Sequence, residues 1–326
     1  MSEMTRDPQA PVAVIIVNWN GVADTLEVLR ELDDIDGPPL RIIVVDNGSS
    51  DDSVEVLRRQ RPNVELVETG ENLGFAGGNL AGIRLAFKQP DIGWVLLINN
   101  DVAVDRAFLP PLIEACLDPQ VGAASPKIFY FEPRDVIWAA GGRLRLRETV
   151  TEEYGQGEQD GPEFSQASDM TYLTTCCLLI PRDALEKVGP LDPLYFIGVD
   201  DADWCRRAAD AGYRLRYEPR SRIWHKVAVS TGGGYTPFKT FHTGRSNTLY
   251  ARRHFRFFGL SAFLGANVLA LAAAFLREVP RGNSKAVIAK AKGVWQGLTS
   301  TLPSPPEIQP GGADRLDQDR RSAHDQ

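Results

Sequence analysis

A basic excess is the first thing this sequence lacks. Its 326 residues carry 36 Lys and Arg against 43 Asp and Glu, a net charge of −7, so the cationic footprint of a nucleic-acid binder is missing. Cysteine is scarce too. Cys116, Cys176, Cys177 and Cys205 form no CxxC pair and no Cys/His cluster. That excludes a structural zinc site or disulfide framework as the organising principle and points to a reducing compartment. No basic, apolar leader opens the chain, and the first apolar run, residues 12–17, is too short for a signal peptide or a span. A cytoplasmic start is the expectation. There is no internal repeat. What remains is ordinary for a folded chain, with 43% hydrophobic and 24% charged residues. The length suits one large α/β domain with an appendage, or two modest ones.

Strand-like and helix-like segments alternate through the first half. Residues 12–17, 41–45, 64–67 and 94–98 are short, β-branched or aliphatic runs, as expected of strands covered on both faces. Helical patterns separate them: Leu26, Leu29 and Leu32 after Asp24, a segment from Ser49 or Ser50 through Leu57, Leu80, Ile83 and Phe87 after Gly78, and residues 106–117. Such alternation predicts a mainly parallel sheet with helices on both sides, whose ligands bind beyond the carboxyl ends of the strands. Residues 125–162 read as irregular, with a polar loop over 148–162. Order returns with a strand over 172–180, a helix over 201–211 ending at Gly212, and short strands at 213–217 and 223–224.

The segments that follow the strands carry the chemistry. Asn99-Asn100-Asp101 could place a carboxylate where a cation bridges two phosphates, or could simply form an Asx turn. Asp46 could accept hydrogen bonds from a base or ribose, or cap the next helix. The run 72–79 (Asn-Leu-Gly-Phe-Ala-Gly-Gly-Asn) is not the GxGxxG fingerprint and follows the third strand, not the first, which argues against a dehydrogenase. Asp200, Asp201 and Asp203 exceed what helix capping requires and suit a general base. His225 precedes a Gly-rich run, 230–235, with the composition of an active-site lid.

Taken together over residues 12–253, these segments resemble family-2 inverting glycosyltransferases of the GT-A fold, in the bacterial rhamnosyltransferase-like subgroup. The resemblance rests on Val17 to Gly21, Val45 to Asp51, Asn72 to Asn79, Asn99 to Asp101, Val199 to Cys205 and Trp224-His225, in that order. It implies an α/β/α nucleotide-binding sandwich with a mainly parallel central sheet. Asp46 would contact the nucleobase, and Asn18, Asn20, Asn72, Gly74, Phe75, Asn79, Asn99 and Asn100 would line the nucleotide pocket. Asp101 and His225 would bind Mg²⁺ or Mn²⁺. Asn99 stands where many relatives have Asp. Asp201 would be the base with Asp200 its neighbour, and Thr175, Cys176 and Trp204 would face the acceptor. The implied activity is metal-dependent hexosyl transfer, of rhamnose by preference, from a dTDP- or UDP-sugar to a lipid-linked or polysaccharide acceptor in cell-wall or surface glycan synthesis. The rivals are a non-catalytic sugar-nucleotide scaffold and a nucleotidyltransferase. The latter should show a basic Gly-rich loop where this chain has Asn18-Trp19-Asn20-Gly21.

Between Lys239 and Lys292 the charges are basic except for Glu278, and residues 257–276 carry none. Length, composition and flanking arginines favour a helix lying at the inner, cytoplasmic face of a membrane over a buried helix hairpin or a true span. The expected organisation is a flexible N-terminus over 1–11, a nucleotide-sugar half over 12–124 and an acceptor and catalytic half over 125–238. A membrane-associated helical region over 239–300 and a disordered tail over 301–326 complete it.

Overall fold

The computed structural model describes residues 6–145, 150–227 and 236–308. Four strands, β1 (Val12–Asn18), β2 (Leu40–Asp46), β3 (Glu65–Glu68) and β4 (Trp94–Ile98), pair in parallel in the order β4–β1–β2–β3. Helices α1 (Val22–Leu32), α2 (Ser53–Gln60) and α3 (Gly74–Phe87) make the connections. Alternate residues of β1 serve opposite layers. Ala13 and Ile15 pack with Ile83 and Phe87 of α3, whereas Val14 and Ile16 pack with Leu26 and Leu29 of α1. Every β1 side chain from Val12 to Ile16 is fully buried, which is why the strand reads as continuously apolar.

Beyond β4 come β5 (Val102–Val104), α4 (Leu109–Cys116), β6 (Val121–Tyr130), β7 (Ile137–Ala139) and a separate hairpin of β8 (Gly142–Leu144) and β9 (Thr151–Glu153). Then follow β10 (Ser168–Met170), β11 (Cys177–Pro181), α5 (Arg182–Val188), α6 (Asp200–Asp210) and β12 (Arg214–His225). The sheet order is β10-β12-β6-β11-β4-β1-β2-β3, with β5 beside β12 and β7 beside β6. The parallel expectation holds for β1 to β4. From β11 onward the sheet is mixed, because β11 runs antiparallel to both β4 and β6.

Several boundaries differ from the sequence reading for local reasons. Residues 125–162 are not irregular throughout. They hold the end of β6, then β7, and the β8–β9 hairpin, whose connecting residues 146–149 lie outside those described. Residues 213–217 and 223–224 belong to a single long strand, β12, bent by a bulge between Glu218 and Arg222. Asp24 does not cap α1. It receives Lys226 Nζ at 2.6 Å instead. Neither Ser49 nor Ser50 caps α2, which begins at Ser53.

The C-terminal region forms α7 (Pro237–His254), α8 (Phe257–Glu278) and α9 (Ser284–Thr299). Thr236 caps α7, accepting from the Lys239 N–H. α7 lies between α9 and the main domain: Thr240 Oγ1 bonds Ala286 O and Arg252 reaches Gly297 O and Ser300 O, whereas Leu249 and Tyr250 enter the main core. Among the described residues α8 is the one helix long and apolar enough to cross a membrane, and most of it is exposed. The chain stays against the domain past Thr301, with Leu302 and Ile308 packed on the core. At the other end Arg6 is fixed by Asp183 and by the carbonyls of Cys116 and Val121. Both termini therefore dock over part of the length expected to be free.

Candidate active site

The carboxyl ends of β1 and β2 lie side by side, with Asn18 in register with Asp46. The Asn18 amide donates to Asp46 Oδ1 at 3.0 Å, and Ser49 gives both its hydroxyl (2.6 Å) and its N–H (3.0 Å) to that carboxylate. Asn20, at φ 52°, accepts the Ser50 N–H. Asn72 accepts from the Gly74 N–H and from the Asn47 amide. Gly74 has φ 75°, and a Cβ there would lie 2.1 Å from Phe196 O, so the 72–79 loop and the loop before α6 meet only because residue 74 is glycine. Phe75 N–H donates to the same Phe196 carbonyl. Asn79 is 1% exposed and spends its amide on Phe75 O, so it braces α3 and presents nothing to a ligand. This half of the expected nucleotide site is assembled, apart from Asn79.

A second cluster forms where β4 and β12 end. His225 pairs across the ladder with Val102, which brings its Nε2 to 3.2 Å from Asp101 Oδ1 and 3.4 Å from the Asn99 amide nitrogen. Asn100 instead ties this turn to the β1 loop through Gly21 O and Thr25 Oγ1. Trp138 of β7 sets its ring edge-on to His225 at 4.5 Å. Asp101 Oδ2, His225 Nδ1 and Asn99 Oδ1 are buried without a partner among the described residues. Native interiors rarely leave such atoms unmet. No group of three His, Cys, Asp or Glu side chains gathers here among the described residues, so the protein would offer a divalent cation the Asp101 carboxylate and His225 through Nε2, the nitrogen on the Asp101 side, a partial set that phosphate oxygens would have to complete. Burial works against the ionised form of Asp101, but the hydrogen bond and charge of His225 bring it below the usual carboxylate range.

The third cluster is acidic. Val199 adopts φ 60°, a left-handed backbone rare for a β-branched residue, and turns the chain abruptly into α6. Asp200 is 3% exposed and its Oδ2 has no partner among the described residues. Burial and the adjacent Asp201 charge push its carboxyl well above the usual range, so it holds a proton. Asp201 is only partly buried and can be approached. Burial raises it to about 6, against the pull of hydrogen bonds from Tyr172, at 2.7 Å, and Ala202 N–H. Asp203 faces the other way. Tyr195, Arg207, Arg253 and His254 all engage its fully buried carboxylate, so it is structural.

The start of β11 joins the last two clusters. Cys176 O accepts the Asn99 N–H, and the Thr175 backbone favours the charge on Asp201. Thr175 and Cys176 are both buried, 3% exposed, and burial holds the Cys176 thiol protonated. Trp204 does not face an acceptor: it is fully buried with its indole N–H on Gly189 O. The Gly-rich lid expected over 230–235 lies outside the described residues. The sequence reading missed Tyr172 and Trp138, which carry no motif signal because their partners are distant in the chain.

Residues 13–189 match the family described as Glycosyl transferase family 2, and the chain belongs to that family. N-acetylglucosaminyl-diphospho-decaprenol L-rhamnosyltransferase of Mycobacterium tuberculosis is 28% identical over 237 residues, 66% of this chain and 76% of its own. Among solved structures, a Pyrobaculum calidifontis mannosyltransferase in complex with GDP-Man and Mn²⁺ superposes with TM-score 0.54 at 19% identity, covering 88% of this chain and 87% of its own. GalNAc-T7 with UDP, GalNAc and Mn²⁺ superposes with TM-score 0.53 at 14% identity, over 66% of this chain but only 43% of its own. The fold is thus that of the GT-A glycosyltransferases.

Proposed function

We propose that the chain transfers a hexose, with inversion, from a nucleoside diphosphate sugar to a lipid-linked or polysaccharide acceptor in cell-wall or surface glycan synthesis. The observation that carries this reading is the adjacency of two unlike polar clusters across the start of β11. One sets His225 Nε2 3.2 Å from the buried Asp101 carboxylate, whose Oδ2 has no partner among the described residues, and the other is a carboxylate pair at Asp200 and Asp201 with one member approachable. The M. tuberculosis relative, named for rhamnosyl transfer to a decaprenol-linked acceptor, supports a similar substrate class and favours rhamnose.

Asn18, Asp46, Asn72 and their neighbours hold the nucleotide, and residues 12–124 form the donor half. Residues 125–238 form the acceptor half, with Thr175 and Cys176 shaping its floor. Asp101 and His225, with Asn99 beside them, would hold Mg²⁺ or Mn²⁺, which would stabilise the charge of the departing diphosphate. Asp201 accepts the proton of the acceptor hydroxyl as its oxygen forms the bond to the anomeric carbon, and the bond to the nucleoside diphosphate breaks. One displacement on one face inverts the centre. Asp200, buried and protonated, keeps a second negative charge away from the base. The basic helices of 239–300 seat the enzyme at the cytoplasmic face of a membrane, where a lipid acceptor is presented.

Calorimetric binding of dTDP, UDP, GDP and ADP with and without Mn²⁺ tests the donor site. Metal-dependent binding of dTDP or UDP is expected, and Asp101→Asn should abolish the metal dependence. Asp201→Asn should end transfer and leave nucleotide binding intact. A protein that binds nucleotide but turns over no donor would be the non-catalytic scaffold.

A further inference from the structure

Among the described residues, one side chain from outside α6 hydrogen-bonds Asp201. Tyr172, 4% exposed, lies just ahead of β11 and donates its hydroxyl to Asp201 Oδ2 at 2.7 Å. We propose that Tyr172 is the positioning residue of the transfer reaction, fixing the Asp201 carboxylate toward the acceptor hydroxyl and keeping it ionised. The proposal rests on the reading of Asp201 as the base.

The tyrosine is anchored on both sides. Its N–H donates to Gly142 O, and its ring lies so close to the β8–β9 hairpin that a Cβ on Gly142 would stand 2.7 Å from Tyr172 Cδ1. The next residue, Leu173, exchanges hydrogen bonds with Cys205 Sγ, one turn beyond Asp201 on α6. The hydroxyl is therefore presented by a framework that spans the hairpin, the lead into β11 and α6. Because Asp201 Oδ1 takes the Ala202 N–H, the carboxylate is gripped at both oxygens and still has lone pairs free for an incoming proton.

The groups facing Asp201 make this bond consequential. Burial and the Glu153 carboxylate of β9 favour its protonated form, and Asp200 stands beside it on α6. Opposing them are the Tyr172 hydroxyl and the backbone groups of Ala202 and Thr175. The Cys205 thiol, pushed up by burial, is neutral. Tyr172 itself is driven well above its ordinary value, first by burial and then by the Asp201 charge, so it remains a donor and does not exchange its proton with the substrate. Without this donor, burial and Glu153 act with less opposition, and a base that titrates at about 6 would be protonated in a larger share of molecules at neutral pH.

The test titrates the full chain, labelled with ¹³C at aspartate carboxyls, the Asp201 signal being the one absent from Asp201→Asn. In Tyr172→Phe that signal should titrate about one pH unit higher, a tenfold change in proton affinity. Biosynthetic 3-fluorotyrosine, a stronger donor, should move it the other way and covers the case in which Tyr172→Phe does not fold. Transfer is followed with whichever of dTDP-rhamnose, UDP-glucose, UDP-galactose and GDP-mannose the wild type turns over. The acid limb of the Tyr172→Phe rate profile should rise by the same amount, and the alkaline plateau, where Asp201 is ionised in both proteins, should fall because its orientation is lost. An unmoved Asp201 titration, or a wild-type rate profile in Tyr172→Phe, overturns the positioning role even where Asp201→Asn is inactive. Transfer by Asp201→Asn at the wild-type rate overturns the base reading instead, whatever the titration shows.

Discussion

Asp200 and Asp201 put two carboxyl groups where the surroundings accept one negative charge, and that arrangement opposes folding at neutral pH. An unfolded aspartate loses its proton near pH ~4. Folded Asp201 keeps it until about pH 6. As pH rises through that window the unfolded state gives up its proton first, so the fold loses stability, and below ~4 both states are protonated and the effect vanishes. Asp201→Asn should therefore melt higher than the wild type at pH 7.5 and level with it at pH 3.5, while transfer is lost. Coincident melting curves at pH 7.5 would refute the raised proton affinity. The motif made the pair legible in the sequence, because adjacent acids opening a helix are visible in one line of text. Which acid does what was not legible. Asp203 looked equivalent to its neighbours until Arg207, Arg253 and His254 were seen around it, and two of those three lie some fifty positions away. Trp204 misled for the same reason, since a tryptophan beside a motif reads the same whether it faces ligand or core.

Segments 192–199 and α6 are shaped from behind by α7. Arg245 donates to Leu194 O, Ser246 to Ile197 O, and Arg253 to Asp192 Oδ2 at 2.6 Å, before Arg253 and His254 converge on Asp203. Burial opposes the charge on Asp203, but His254 and Arg207 hold its carboxyl well below the usual range. It thus contributes stability above pH ~4 that is lost as pH falls further. Asp203→Asn takes the carboxylate away from the Arg207 and Arg253 guanidinium groups that face it and should cost about 3–5 kcal/mol. Urea unfolding at pH 7.5 measures this, and a midpoint equal to wild type would show that the network is dispensable. Because the same contacts carry the loop ahead of Asp200, transfer should fall in parallel. Element by element, the sequence exposed what has a strong period or a clear stop, such as α6 with Gly212 behind it. It concealed β6, whose Gly122, Ala123, Ala124, Ser125 and Pro126 are poor strand formers. Pro126 is tolerated because it pairs with Glu218 at the edge of the β12 bulge, where the regular ladder is interrupted. That register exists only once the two strands have met.

Across the whole molecule the largest unexplained feature is the apolar face of α8. Phe258, Leu269 and Leu276 are 85%, 73% and 75% exposed, at spacings of 11 and 7 residues that bring them round three and two helical turns onto one stripe. Phe257, 77% exposed, lies beside Phe258 at the start of the helix, and Ile288 and Trp295 are exposed on α9. Arg256, Arg277, Arg281 and Lys285 flank this surface, and Glu278, the single acid of the region, is already held by Arg277 and Asn283. Apolar side chains rimmed by cations suit an anionic bilayer, which removes the former from water and attracts the latter. Deleting the region is a poor test, since α9 braces α7 and residues 302–308 lie on the domain. Substituting Phe257, Phe258 and Leu276 by serine leaves those contacts alone. Each apolar side chain buried in lipid is worth about 1.5–3 kcal/mol. The triple variant should therefore bind phosphatidylglycerol vesicles roughly 1,000-fold more weakly or worse in co-sedimentation, while binding of dTDP or UDP with Mn²⁺ is unchanged. Wild-type protein should bind anionic vesicles far better than phosphatidylcholine ones, with the preference shrinking in salt. Equal vesicle binding by the wild type and the variant would show that this face meets something other than lipid, and a wild-type dimer that the variant loses would identify a second copy of the chain as its occupant.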